Sequence, residues 1–374
     1  MPVREPFPHR VEEGALRVYR VFDVADAIDL VRAEALAKGT GARHRWEGVH
    51  SSAAIEIPRP PIHLQLGRRQ VPLASGTREA EASLHLFEYG VASVLYKIPI
   101  APGTGLEDLL PLSEELQVLP TPALDAAARR EAEEICRALA PALEKPHQWA
   151  GLETYHVFVV RAFDAPLPAR EVLERAPLAR LLLGETSDTP LSEQESADVL
   201  KHHFSYLSDD LAVVDWNSAF LYEPSGVADI ADLLEFATAH LLELRYYDAL
   251  LDRELGAIYG EMEAGRGPKT LFTRRYARLQ RRTAALLLEL SEMIERLENG
   301  VKIVGDFYLA RLYQAAVRRF RLPAWQEDVL RKQRLLADVN RLLNDAADVR
   351  RGELLETTII LLILWEILWA VLRR

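Results

Sequence analysis

From Ile230 to Met262, apolar residues recur at alternating steps of four and three: Ile230, Leu234, Ala237, Leu241, Leu244, Leu251, Leu255, Ile258 and Met262, with Asp248 as the polar member. A repeat of this kind, kept over more than four heptads, makes a helix with one stripe that must be covered. A second seam runs through Tyr276, Leu279, Thr283, Leu286, Leu290, Met293 and Leu297. The intervening EAGRGPKTLFT holds glycine and Pro268 and predicts a turn, so the two helices are expected to form an antiparallel hairpin. After Asn299-Gly300 a helical stretch continues to Arg321, and Pro323 sits well at the first turn of a further helix. Asp248 in the seam reads as a register or pairing position, or as a place that binds something.

The first 225 residues have a different texture. ALRVYRVFDV (Ala15–Val24) alternates as a strand does, and DAIDLVRAEALA (Asp26–Ala37) has helical spacing, with Lys38-Gly39 as its stop. SSAAIEI and PIHLQLG read as short strands. Ala82–Ile100 reads as a hairpin turning at Glu88-Tyr89-Gly90. Helical stretches at Asp125–Ala142 and Ala169–Leu183 flank a strand at Thr154–Phe163, and Leu211–Pro224 is a last strand. The expected fold class is therefore α+β. It has a mixed α/β domain over 1–225, a helical, coiled-coil-like arm over 226–352 and a hydrophobic C-terminal helix over 353–374.

That last segment, ELLETTIILLILWEILWAVLRR, contrasts with an otherwise ordinary composition of 49% hydrophobic and 27% charged residues. Leu354–Leu372 would extend roughly 28 Å as a helix, near the roughly 30 Å of a bilayer core. Trp365 and Trp369 near its end, with Arg373-Arg374 after them, match interfacial preferences. The expectation is a membrane anchor, with Glu366 as a costly group inside it. The alternative is a soluble helix buried in an oligomer core. The opening residues show no signal or transit pattern, so the main domain is expected in the cytoplasm of a bacterium, held at the inner membrane. Bacterial origin is read from abundant Ala, Arg and Leu.

A net charge of −11 argues against a chain coated in nucleic acid, and the single cysteine, Cys136, excludes an internal disulfide or a cysteine zinc cluster. Phosphate-loop, dinucleotide, nucleophile-elbow and zincin motifs are missing, so no cofactor and no small-molecule substrate is expected.

Two segments could still carry chemistry. In KHHFSYLSDD, His202, His203, Asp209 and Asp210, with Asp215 beyond them, could ligate a metal for hydrolysis. On a strand, however, His202 and His203 point to opposite faces, and Ser208-Asp209-Asp210 suits a plain turn. In RGPKTLFTRRYARLQRR, Arg266, Lys269, Arg274, Arg275, Arg278, Arg281 and Arg282 occur with no acidic residue. Arg274, Arg278 and Arg281 share a helix face. Such a patch could hold phosphates of RNA, of a ribosome or of anionic lipid, or could be a solvated face paired with Asp252, Glu254 and Glu261.

Ser83–Ile98, Leu207–Leu255, Lys302–Gln326 and the terminal ELLETTIILLILWEIL together resemble the "required for meiotic nuclear division" family, also called the YagE family. That resemblance implies an N-terminal α/β region, a helical region and a terminal hydrophobic helix. It also implies association with a membrane and with translation, and it offers no catalytic residues to transfer. Taken together, these readings point to a membrane-tethered, self-associating scaffold without a catalytic site. The alternatives are an RNA- or ribosome-associated module built on 266–282 and a metal-dependent hydrolase around 202–215.

Overall fold

The computed structural model describes residues 7–37, 41–43, 59–226, 229–264, 269–300 and 307–372. The fold is mixed α/β, with an N-terminal sheet and C-terminal helices. In chain order, β1 (Arg10–Asp23), β2 (Ala27–Ile28) and α1 (Leu30–Leu36) precede β3 (Gly41–Arg43), β4 (Ile62–Leu73), β5 (Gly76–Leu86), β6 (Val91–Ile100) and β7 (Thr104–Gly105). Then come α2 (Leu110–Gln117), α3 (Pro122–Ala138), β8 (Leu143–Glu144), β9 (Glu153–Phe163), α4 (Ala169–Arg175), α5 (Leu178–Leu183) and α6 (Glu193–Val199). The chain continues through β10 (His203–Phe204), β11 (Leu211–Val214), β12 (Ser218–Tyr222), α7 (Asp229–Ala264), α8 (Lys269–Gly300), α9 (Phe307–Arg319) and α10 (Leu322–Leu372). Two compact units result: Met1–Tyr246 with Arg296–Trp325, and Tyr247–Glu295 with Gln326–Arg374.

The first unit is built on one sheet in the order β10-β11-β12-β9-β1-β6-β5-β4-β3, with β7 also on β1. Neighbours are antiparallel except β12 and β9. β1 is the central strand because it is long enough to pair along both edges, with Tyr19 opposite Leu95 on one side and Tyr155 on the other. Its even positions Leu16, Val18 and Phe22 join Leu84, Val94 and Phe158 in an apolar layer covered by α2 to α6. The opposite face is mixed in polarity and is covered by the start of α7 and by α9. Phe236 packs on Phe87 at 5.8 Å, and Phe320, just past α9, packs on Tyr155 at 5.1 Å. Helices on both faces explain why the strands carry so few solvent positions.

Several local expectations shift for physical reasons. The first helix starts at Leu30 rather than Asp26, because Asp29 caps the Arg32 N–H at 3.0 Å and Ala27–Ile28 pair with β8. The stretch Ala169–Leu183 is two helices, because Ala176, which precedes Pro177, is extended. Leu211–Pro224 is a hairpin, closed by the Asp215 N–H on the Ser218 carbonyl at 2.8 Å. SSAAIEI and Lys38-Gly39 lie outside the described residues.

The turn between β5 and β6 falls where the sequence places it. Gly90 has φ +95°, and a Cβ there would stand 1.7 Å from the Ala25 carbonyl oxygen. Gly90→Ala combines a left-handed backbone with a collision against main chain. It should lower unfolding free energy by about 2–4 kcal/mol, read from the urea midpoint.

The membrane anchor expected at Leu354–Leu372 is not upheld. Among the described residues no helix is long and apolar enough to cross a membrane. The apolar run lies at the end of α10, which continues to Leu372. Glu356 and Glu366 both fall inside that stretch. The expected membrane partner and inner-membrane location therefore lose the feature they rested on.

In the second unit, Leu251, Leu255 and Ile258 of α7, Leu279, Leu286 and Leu290 of α8, and Val329, Leu336 and Val339 of α10 are buried. Polar contacts tie the helices together at intervals. The Thr283 hydroxyl reaches Asn340 Oδ1 at 2.9 Å, and Arg282 Nε reaches Glu254 at 2.6 Å.

Candidate functional site

The face of the sheet beneath α7 concentrates the buried polar groups of the first unit. Strand register sets them in rows. Arg17 is opposite Lys97, which is opposite Glu81; one row on, Tyr19, Leu95 and Ser83 align; after that come Val21, Ser93 and His85. α7 lies over these rows with acidic residues at helical spacing. Asp232 meets Arg17 Nη1 at 2.9 Å, and Glu235 meets His85 Nδ1 at 2.7 Å. The His63 ring stacks on His85 at 3.6 Å with a 7° interplanar angle.

Beside this covered part, the same face opens into a cleft of about 440 Å3, floored by Arg17, Lys97 and Glu81 and edged by Ala231 of α7. Its charges are matched: Arg161 with Glu13 at 2.6 Å, Arg68 with Glu79 at 2.9 Å, and Lys97 with Glu81 at 3.8 Å. A cavity of this size holds a small molecule rather than a folded partner.

A second cavity, about 520 Å3, lies against α3 and is lined by Phe22, Asp23, Arg129, Cys136 and His147. His147 Nε2 stands 3.0 Å from Asp23, and its ring stacks on Tyr246 at 4.8 Å. Burial works against the charged imidazole, but its contacts with Asp23 and Asp26 prevail and push the His147 pKa up to about 10. Burial, with Glu133 nearby, pushes the Cys136 thiol up to about 12, so the lone cysteine is a packing residue rather than a nucleophile at neutral pH.

The residues singled out from the sequence are placed as follows. His203 Nδ1 lies 2.7 Å from the Leu200 carbonyl, and the His202 carbonyl accepts the Val214 N–H at 3.0 Å. Asp209 is exposed in the turn, while Asp210 closes it by accepting from the Tyr206 and Leu207 N–H groups at 2.7 and 2.9 Å. Asp215 is buried against Arg319 at 2.5 Å. Among the described residues no group of three His, Cys, Asp or Glu is arranged to hold a metal ion. Asp248 meets Lys332 of α10 at 2.7 Å. Arg266 lies outside the described residues, Lys269, Arg274 and Arg275 lie on α8, and Arg278 and Arg281 are exposed there. Arg282 is engaged with Glu254. Trp365, Glu366 and Trp369 are exposed on α10, with the two indoles 6.3 Å apart.

Ser83, His85 and Glu235 were not anticipated. Their signal was present in SLHLF, where Ser83 and His85 alternate with Leu84 and Leu86. Period-two polarity reads as a solvent face, and only the docking of α7 makes it an interior.

Residues 13–229, from within β1 to the start of α7, match the family described as the N-terminal domain of the uncharacterized protein MJ0711. The chain belongs to this family. The MJ0711 protein of Methanocaldococcus jannaschii is 25% identical over 229 residues, covering 59% of this chain and 66% of the relative's length. No solved structure matches.

The resemblance to the meiotic nuclear division or YagE family is thereby corrected. The matched region is the sheet domain of the MJ0711 family, whereas much of that resemblance was carried by helical segments beyond residue 229. The bacterial reading of the composition falls with it, since the relative is archaeal. Composition reports codon bias more than lineage, and heptad-rich and apolar helical segments look alike across unrelated families.

Proposed function

We propose that the chain is a self-associating scaffold, in which helices of the second unit join copies of the protein and each copy displays a sheet domain. The observation that carries this reading is the exposure of the last helix. Between Leu355 and Trp369 of α10 the large apolar side chains are all at least half exposed, from Ile360 at 51% to Leu355 and Trp365 at 63%. A helix apolar on every side needs cover on every side. Burial of each such side chain is worth about 1.5–3 kcal/mol, so a few mutually covered residues offset the entropy of association. A second copy supplies a surface of the same length and character, and isologous pairing is the commonest way to close it. The heptad seams of α7 and α8 support the same reading, as a stiff coiled-coil-like mount for the apolar segment.

Analytical ultracentrifugation over a concentration series tests this. The full chain should sediment as a dimer or larger species. The double substitution Leu362→Glu and Ile363→Glu should weaken association by roughly 100-fold or more, since buried charges cost several kcal/mol. Wild-type chain that stays monomeric throughout would exclude the scaffold reading.

A further inference from the structure

The contacts under α7 include an arrangement that a structural clamp does not require. The Ser83 hydroxyl lies 3.0 Å from His85 Nε2, and His85 Nδ1 lies 2.7 and 2.9 Å from the two oxygens of Glu235. Carboxylate contact at Nδ1 places that proton on Nδ1 and leaves Nε2 as an acceptor aimed at the serine. Stacking of His63 on the imidazole fixes its plane. Nucleophile, base and orienting acid thus stand in the order and at the distances that acyl-transfer sites use. All three are withdrawn from bulk water, at 7%, 3% and 2% exposure for Ser83, His85 and Glu235.

The open cleft makes this arrangement more than an interior network. Glu81, two residues before Ser83 on the same strand and face, is part of the cleft floor, as is Lys97 on the adjacent strand. At about 3.3 Å per residue, Ser83 lies roughly 7 Å along the strand from the floor row, beyond the lining of the cleft and under α7. Ala231 edges the cleft one turn before Glu235, so the same helix borders the opening and supplies the orienting acid.

We propose that Ser83, His85 and Glu235 form a serine acyl-transfer site, served by the cleft and selective for a small, polar ester or amide. In the first step Ser83 Oγ forms a bond to the acyl carbon, and the hydroxyl proton passes to His85 Nε2. The carbonyl electron pair moves onto its oxygen. Collapse breaks the bond to the leaving alcohol or amine, which takes the proton from His85. Water then attacks the acyl-serine, giving its proton to His85, and the acid departs as Ser83 regains its proton. Glu235 stays ionised throughout and stabilises the imidazolium.

The test uses the full-length protein with two probes, a small fluorophosphonate and p-nitrophenyl acetate. Peptide mass spectrometry after fluorophosphonate treatment should place the adduct on Ser83, and Ser83→Ala, which removes one oxygen, should abolish it. Ester turnover should fall on the order of 10⁴-fold in Glu235→Gln, with most of the loss in kcat, because the amide no longer fixes the tautomer. Circular dichroism on both variants establishes that they fold. Wild-type protein with no adduct, an adduct on another residue, or turnover unchanged in Ser83→Ala would each overturn the assignment and leave the three residues as a clamp for α7.

Discussion

Arg20→Ala should destabilise the protein by about 3–5 kcal/mol, enough to remove a large part of a typical folding free energy. Arg20 is fully buried on the apolar face of β1, in register with Leu16, Val18 and Phe22. Its guanidinium survives there because its donors find acceptors. Nε donates to Asp125 at 2.7 Å, Nη1 to the Tyr19 carbonyl at 3.0 Å, and Nη2 to Thr121 Oγ1 at 3.1 Å. Nη1 also stands 3.1 Å from His156 Nε2, and arginine has no acceptor, so that nitrogen must be the unprotonated one. Burial first, and the charge of Arg20 second, hold the His156 pKa well below its ordinary value.

Truncation at Arg20 would leave His156 and the Tyr19 carbonyl without this donor in a dry layer, and Asp125 at the start of α3 without its cation. Arg20→Met, which refills the space, should recover part of the loss, because the deleted volume and the orphaned acceptors are separate costs. Urea denaturation of the three proteins measures both. A loss below about 1 kcal/mol in Arg20→Ala would show that the network is not the anchor of α3.

The second large effect is acid sensitivity. His240 of α7 is buried among Phe236, Tyr89 and Tyr313, with ring centroids 4.5 and 5.4 Å from the first two and the Tyr313 hydroxyl 3.2 Å from Nδ1. Burial lowers its pKa to about 3. In the unfolded chain the imidazole returns to about 6.5. Below that pH the unfolded state takes up a proton that the folded state refuses, so stability falls as pH falls. The slope from this group approaches about 1.4 kcal/mol per pH unit and flattens near pH 3, for a total of about 5 kcal/mol. His156 acts in the same sense, whereas Asp23 and Glu153, whose pKa values burial raises, act in the opposite one.

Comparison with His240→Phe isolates the contribution. The stability difference between variant and wild type should widen in favour of the variant from pH 7 to pH 4, read as urea midpoints at each pH. A difference independent of pH would mean that His240 is reached by solvent or is protonated in the fold.

The elements that were legible in the sequence are those whose pattern needs no partner to be read. Alternation over Ala15–Val24 marks β1, and a glycine with φ +95° marks the turn after Phe87-Glu88-Tyr89. The steps of four and three over Ile230–Ile258 name side chains that are buried, Asp248 apart. Pattern reading fails where a second element changes what an exposed-looking residue means. Glu235 falls off the seam and reads as solvated, yet it is interior because the first part of α7 is covered on nearly every side. Arg20 breaks an apolar register, a signal visible in VYRVF, but nothing local shows that Thr121 and Asp125 arrive from about 100 residues away. The terminal apolar run shows the opposite limit: run length and flanking charges suggest a span, yet among the described residues no helix is long and apolar enough to cross a membrane.

By itself, then, the amino-acid order determined which stretches are strand and helix and which stripe of each must be covered, because those depend on spacings of two to seven residues. Only the tertiary structure decided that a polar strand face would meet an acidic helix face, with Ser83, His85 and Glu235 in line. That meeting depends on contacts 150 residues apart in the chain, and the free energy of a buried charge is set by what surrounds it rather than by its neighbours in sequence.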